Sequence, residues 1–201
     1  MRHNELRDWI GKAMDEKGFH PTEMDFAADM MTRASLIQTE VCEAMQEVKR
    51  HWGRAGVDAD GLKDRVAEEC ADSAIRVYDL AWMCECDLEA PNTLERPANR
   101  AKNERHSLLI RLGKINSLVS TAFDTFEDSA DMADDERDAA QQYAYFGYGQ
   151  DVTVTLQTVI HHLADLCVRI GRDLETAIRA KMVVNMQRPH AYGTPAEGKA
   201  G

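Results

Sequence analysis

Met30, Ala34, Ile37, Val41, Ala44, Val48 and Trp52 recur at three- and four-residue intervals. Only a helix carries such a series on one face, because its turn takes 3.6 residues. A strand would scatter the same residues over both of its faces. The run therefore predicts a long helix from about residue 22 to about 52. Thr22 with Asp25 resembles a capping box at its start. A helix with so continuous an apolar stripe must bury it against other elements.

The rest of the chain supplies further helices. Asn4 is a candidate N-cap, and Leu6, Trp9, Ile10, Ala13 and Met14 follow at helical spacing before Gly18 ends the segment. Gly53, Gly56 and Gly61 break the chain after the long helix. A third helix, from about 62 to about 87, carries Leu62, Val66, Cys70, Val77, Leu80 and Cys84. Pro91 and Pro97 bracket a linker. Beyond Asn103, Leu108, Leu109, Leu112, Ile115, Val119, Ala122 and Phe126 form another stripe. Residues 127–150 are acidic, then aromatic, and read as an irregular or partly helical connection. VTVTL from 152 alternates like a strand, but Leu156, Val159, Ile160, Leu163, Leu166, Cys167 and Ile170 restore helical spacing. A last helix holds Leu174, Ile178 and Met182, and Pro189 stops it. The expected architecture is an all-α bundle in one domain spanning 1–201.

Composition narrows the function. Basic residues number 24 and acidic residues 35, a net charge of −11. Nucleic acid needs a basic face, so it is not an expected partner. An anionic substrate fits only if metal ions supply positive charge. No apolar run reaches the roughly 18 residues that cross a bilayer. The start, MRHNELRDWIGK, is charged where a signal peptide is apolar, so a cytoplasmic location is expected. Five scattered cysteines with no CxxC pair read as reduced core thiols. His161 and His162 read as a packed or solvated pair before they read as zinc ligands.

The two halves look related. Residues 65–89 lie over 151–175 without a gap, matching Val66/Val152, Asp79/Asp165 and Leu80/Leu166, and 36–46 lie over 109–119. An internal tandem of helical hairpins is expected, with a first half of about 19–90 and a second of about 103–190.

Glu40 and Glu43 stand three apart, so both project from one helix face, and Glu47 lies one turn further. Glu69 and Asp72 repeat the spacing on the next helix. The 25 residues between Glu43 and Glu69 allow a turn and an antiparallel return. Pairing the two helices would gather four carboxylates, which repel unless cations lie between them. Oxygen ligands alone favour Mg²⁺, with Mn²⁺ a possible substitute. An ExxE in so acidic a chain is usually a solvated face. These pairs, however, border the apolar stripes at Ile37, Val41, Ala44, Val66, Cys70 and Val77. A di-iron bundle wants Glu-x-x-His instead, and the tetrad has none.

E-x-x-E, 25 residues, then E-x-x-D resembles the MazG-like all-α nucleotide pyrophosphohydrolases, of the MazG and dimeric dUTPase superfamily. KGF (17–19), SLIQTEVCEAMQEVKR (35–50) and AEECADSAIRVYDLA (67–81) are similar to that family's core. So is DLETAIRAKMVVNMQRPHAYG (173–193), with Lys181, Asn185, Arg188 and Pro189 in a K-x-x-x-N-x-x-R-P arrangement. The resemblance covers roughly 19–89 and 162–193. It departs in one respect: an extra segment of about 70 residues precedes the tail, and this segment resembles a second repeat. There Gly113 and Asn116 stand where Glu40 and Glu43 would, and Thr155 and Thr158 where Glu69 and Asp72 would. The resemblance implies a pseudo-dimer of the dimeric dUTPase type with one working site per chain, and a homodimer or higher homo-oligomer.

It also implies a reaction, (d)NTP + H₂O → (d)NMP + diphosphate, on a deoxynucleotide or non-standard nucleotide. Glu40, Glu43, Glu69 and Asp72 would hold Mg²⁺, and Glu40, Glu43 or Glu47 would accept the water's proton. Lys181, Asn185 and Arg188 share a helix face and would grip phosphate oxygens. Trp52, Arg50 and Arg54 are weaker candidates for base or phosphate contact, Trp52 reading better as core. The Tyr143–Tyr148 aromatics suit a lid or an oligomer contact equally. Two rival functions stand beside this one. The first is a nucleotide sensor without turnover, and the second a helical interaction protein whose acids are surface only.

Overall fold

The computed structural model describes residues 2–20, 26–90, 104–131 and 149–187. Those residues are all-α. Six helices, α1 (His3–Glu16), α2 (Phe26–His51), α3 (Ala59–Met83), α4 (Glu104–Asp131), α5 (Gly149–Arg169) and α6 (Leu174–Gln187), follow one another, and no strand occurs among them. None of them is long and apolar enough to cross a membrane.

The α2 stripe does what its spacing requires. Met30, Ala34, Ile37, Val41, Ala44 and Val48 are fully buried, and Trp52 packs half-buried against the same core. They face α3 on one side and α4 on the other. On α3, Ala67, Ala71, Ala74 and Ala81 are buried between the larger Leu62, Val66, Val77 and Leu80, so neighbouring backbones approach closely. Helices α1 and α6 flank α3, and α5 returns along α4. The VTVTL alternation is overridden: Val152, Leu156, Val159, Ile160 and Leu163 are all buried on one face of α5. Residues 127–131, in the stretch expected to be irregular or partly helical, continue α4 as helix. The linker at 91–103, Thr22 with Asp25, and the 143–148 aromatics lie outside the described residues.

Several local expectations need correction. Asn4 is not the N-cap of α1. Arg2 takes that place, its N–H donating to Glu5 Oε2 at 3.3 Å. Asn4 instead clasps the chain after α3, donating to Asp87 Oδ1 (2.7 Å) and accepting from the Leu88 N–H (2.8 Å). Helix α3 starts earlier than Gly61, because Asp58 caps it by accepting from the Asp60 N–H. Cys42 is exposed, off the α2 stripe, and so is no core thiol. His162 is buried, and burial, then the nearby Lys114 and Arg111 charges, push its imidazole down to about 4.

Gly11 lets α1 approach α3 closely. A Cβ there would lie 2.1 Å from Cγ of Trp82, the residue that holds α1 against α3. Gly11→Ala is expected to cost about 1–3 kcal/mol through forced separation of the helices. Thermal or urea unfolding of the variant checks this, and an unchanged midpoint would contradict it.

An Arg–Asp ion pair with a buried arginine occurs in each of the two hairpins. Arg33 pairs with Asp79 between α2 and α3, and Arg111 Nη1 pairs with Asp165 at 2.5 Å between α4 and α5. Asp165 follows Asp79 by 86 residues, the offset expected from sequence. Arg111 follows Arg33 by 78 residues, and Ile37, Val41 and Ala44 fall at that offset on the buried Ile115, Val119 and Ala122. The expected overlay of 36–46 on 109–119 fails this test, since it sets buried Ile37 on Ile110, which is 55% exposed. At the 78-residue offset Leu118 and Thr121, rather than Gly113 and Asn116, fall opposite Glu40 and Glu43.

Candidate functional site

Three cross-pairs show that α2 and α3 run antiparallel. Arg33 meets Asp79, Glu40 Oε1 lies 3.7 Å from Arg76 Nε, and Arg65 Nε donates to Glu47 Oε2 at 2.8 Å. In this register the middle of α2 faces the middle of α3. One carboxylate oxygen each from Glu40, Glu43 and Glu69 lies within 4.8 Å of the others. Glu40 and Glu69 are half-buried and Glu43 is exposed, so the trio opens to solvent on one side.

The three carboxylates are poorly compensated. Burial, then the charges of Glu43, Asp72 and Glu40, push the Glu69 carboxyl up to about 7, against a smaller opposing pull from Lys181. Burial and Asp72 also raise Glu40, while Arg76 and Lys181 oppose and Glu43 adds to the rise. Among the described residues no Lys, Arg or His lies within ion-pair distance of Glu43 or Glu69. An all-oxygen trio of this kind fits a hard divalent cation such as Mg²⁺ or Mn²⁺. The cation would supply the missing positive charge.

Asp72 stands beside the trio but is engaged elsewhere. Lys181 Nζ on α6 lies 2.7 Å from Asp72 Oδ2 and 2.7 Å from Glu68 Oε1. The expected quartet is therefore a trio with one neighbour already ion-paired. Burial works against the Lys181 charge, but the bonds to Asp72 and Glu68 outweigh it and raise the ammonium above its ordinary range. Glu47 does not join the trio and instead accepts from Arg65. Asn185 is half-buried on α6, and its Oδ1 has no hydrogen-bond partner among the described residues. Arg188 lies outside the described residues. Arg50 and Arg54 are exposed near the end of α2.

Sequence reasoning missed Glu68, Arg65 and Arg76. A signal existed for Glu68: it is four residues before Asp72, so both reach the same neighbouring helix. Beside it, α3, α6 and the turn before α6 enclose a groove of about 420 Å³. Ala67, Ala177 and Ala180 leave this groove open, and Glu68 and Lys181 form part of its wall.

The chain matches no protein-family model, no curated protein and no solved structure.

The shift of Glu69 has a pH consequence with a fixed sign. Its folded value, about 7, lies above the 4.5 of an unperturbed glutamic acid. A raised carboxyl favours the fold fully below 4.5, and that contribution is lost as pH rises through about 7. Metal-free protein should thus become less stable between pH 5 and 8 relative to Glu69→Gln, which has no such charge. Thermal melts of the two proteins in chelator across this range test it. Parallel curves would count against crowding of the carboxylates.

Proposed function

We propose that this chain is a Mg²⁺-dependent nucleoside triphosphate pyrophosphohydrolase, (d)NTP + H₂O → (d)NMP + diphosphate. The observation that carries the reading is the convergence of Glu40, Glu43 and Glu69 within 4.8 Å, with Glu69 held near 7 by burial and its acidic neighbours. Carboxylates gathered from two helices repel one another, and a divalent cation between them would relieve that repulsion. The resemblance to MazG-like enzymes on the same residues supports the choice of substrate.

In this reading Glu40, Glu43 and Glu69 hold the metal, with Asp72 next to them. When bound, Mg²⁺ neutralises the triphosphate and lowers the pKa of a site water. The chain's own groups do the rest. Glu40, Glu43 or Glu47 accepts the water's proton, and the Arg65 bond to Glu47 competes with that role. Lys181, Asn185 and Arg188 donate to phosphate oxygens, Asn185 through its amide NH₂.

We further infer an internal pseudo-dimer of MazG type. The repeated Arg–Asp pairs and matching burial support it, with Leu118, Thr121, Thr155 and Thr158 standing at the four acid positions in the second hairpin. One nucleotide per chain then follows. A panel of ordinary and modified (d)NTPs with Mg²⁺, scored for diphosphate release, tests the proposal. Hydrolysis that persists in EDTA, or no hydrolysis of any member, would overturn it.

A further inference from the structure

We propose that Lys181 is a built-in placeholder for the metal: it holds Asp72 in the metal-free chain and exchanges with a divalent cation when one binds. The inference rests on the reading of the acid trio as a metal site. Its geometry, however, comes from α6, which contributes no carboxylate to the trio.

Three observations carry it. First, one ammonium bridges two carboxylates, Asp72 and Glu68, each at 2.7 Å, on a side chain only 12% exposed. An ammonium has three donors, so it can drop one acceptor and keep the other. Second, Asp72 lies near enough to Glu40 and Glu69 to raise both, so it belongs electrostatically to the metal site while its Oδ2 is taken by Lys181. Third, Glu68 lines the groove between α3 and α6, which gives the lysine a second anchor and room beside it. Lys181 can therefore give up Asp72 without becoming an unpaired buried charge, an outcome that would be costly.

The exchange has a thermodynamic consequence. A cation that must displace Lys181 binds more weakly than the carboxylates alone would allow. A lysine freed from Asp72 is then available to an anion at the same place. Metal and polyphosphate should each strengthen the binding of the other, by the same factor.

The test uses the full chain, Mn²⁺ as the probe and no nucleotide, with free Mn²⁺ read by electron paramagnetic resonance. Lys181→Met keeps the methylene packing and removes the charge. It should tighten Mn²⁺ binding by about ten-fold. Arg76→Met removes a cation with a looser 3.7 Å contact and should change affinity much less. Glu68→Gln removes the second anchor and should weaken Mn²⁺. It also tests the idea if the lysine variant fails to fold. Tripolyphosphate should tighten Mn²⁺ binding in the wild type and lose most of that effect in Lys181→Met. Unchanged or weaker Mn²⁺ binding in Lys181→Met, or equal gains in Lys181→Met and Arg76→Met, overturns the exchange and leaves the metal site standing. Absence of Mn²⁺ binding in wild type and variants alike overturns both.

Discussion

Glu43→Gln is expected to lower diphosphate release by about 10³-fold, equivalent to about 4 kcal/mol of transition-state stabilisation. Glu43 is the exposed member of the trio, so its side chain does little for the core. The amide keeps the shape and removes the charge that would bind the metal. The same change relieves repulsion on Glu69, since Glu43 is the largest charge acting to raise it. The variant should therefore lose activity while its metal-free form melts at an equal or higher temperature. That opposition of signs separates a ligand from a structural glutamate, whose loss would reduce both. Diphosphate release and thermal melting on one preparation give both readouts. A rate within ten-fold of wild type would remove Glu43 from the metal site.

The fold was legible where one periodicity ruled. The α2 stripe predicted burial at seven positions; six are fully buried and Trp52 is half-buried at the helix end, because no competing signal exists along those residues. Residues 152–156 were ambiguous because valine and threonine suit strands. Packing against α4 and α3 decided for helix there. Asn4 misled because a short amide serves a cap and a long-range clasp equally well, and the clasp partners are more than eighty residues away. The site divides in the same way. The i, i+3 spacing was enough to place Glu40 beside Glu43 on one helix. Their meeting with Glu69 needed the α2–α3 register, which Arg33 and Asp79 help fix from a buried position that no spacing rule marks. That Lys181 would take Asp72 was illegible, since it depends on how α6 lies against α3.

Asp79→Ala should be the most damaging substitution to the fold, at about 3–5 kcal/mol, or a fall of about 10 °C or more in melting temperature. The Asp79 side chain is 2% exposed and takes both Arg33 and His20, whose Nε2 lies 2.8 Å from Oδ1. Arg33 also donates to the Phe19 carbonyl at 3.0 Å, and His20 stacks on Trp82 with ring centres 5.1 Å apart. Trp82 is in turn the residue closed against Gly11. Without the carboxylate, the buried Arg33 guanidinium loses this charged partner, and His20 loses its bond to α3. Asp165 offers the contrast within the same chain. It pairs with Arg111 and Arg169 at the equivalent place, but it is 30% exposed. Water can replace it there, so Asp165→Ala should cost about 1 kcal/mol. Each aspartate pairs with an arginine of the neighbouring helix, and the larger loss is expected where the carboxylate is the more buried. Replacing Arg33 with Met in the Asp79→Ala background should recover part of the loss, because the buried charge is removed together with its partner. Equal losses from the two aspartate variants, or no recovery in the double variant, would show that α2 and α3 do not depend on this pair.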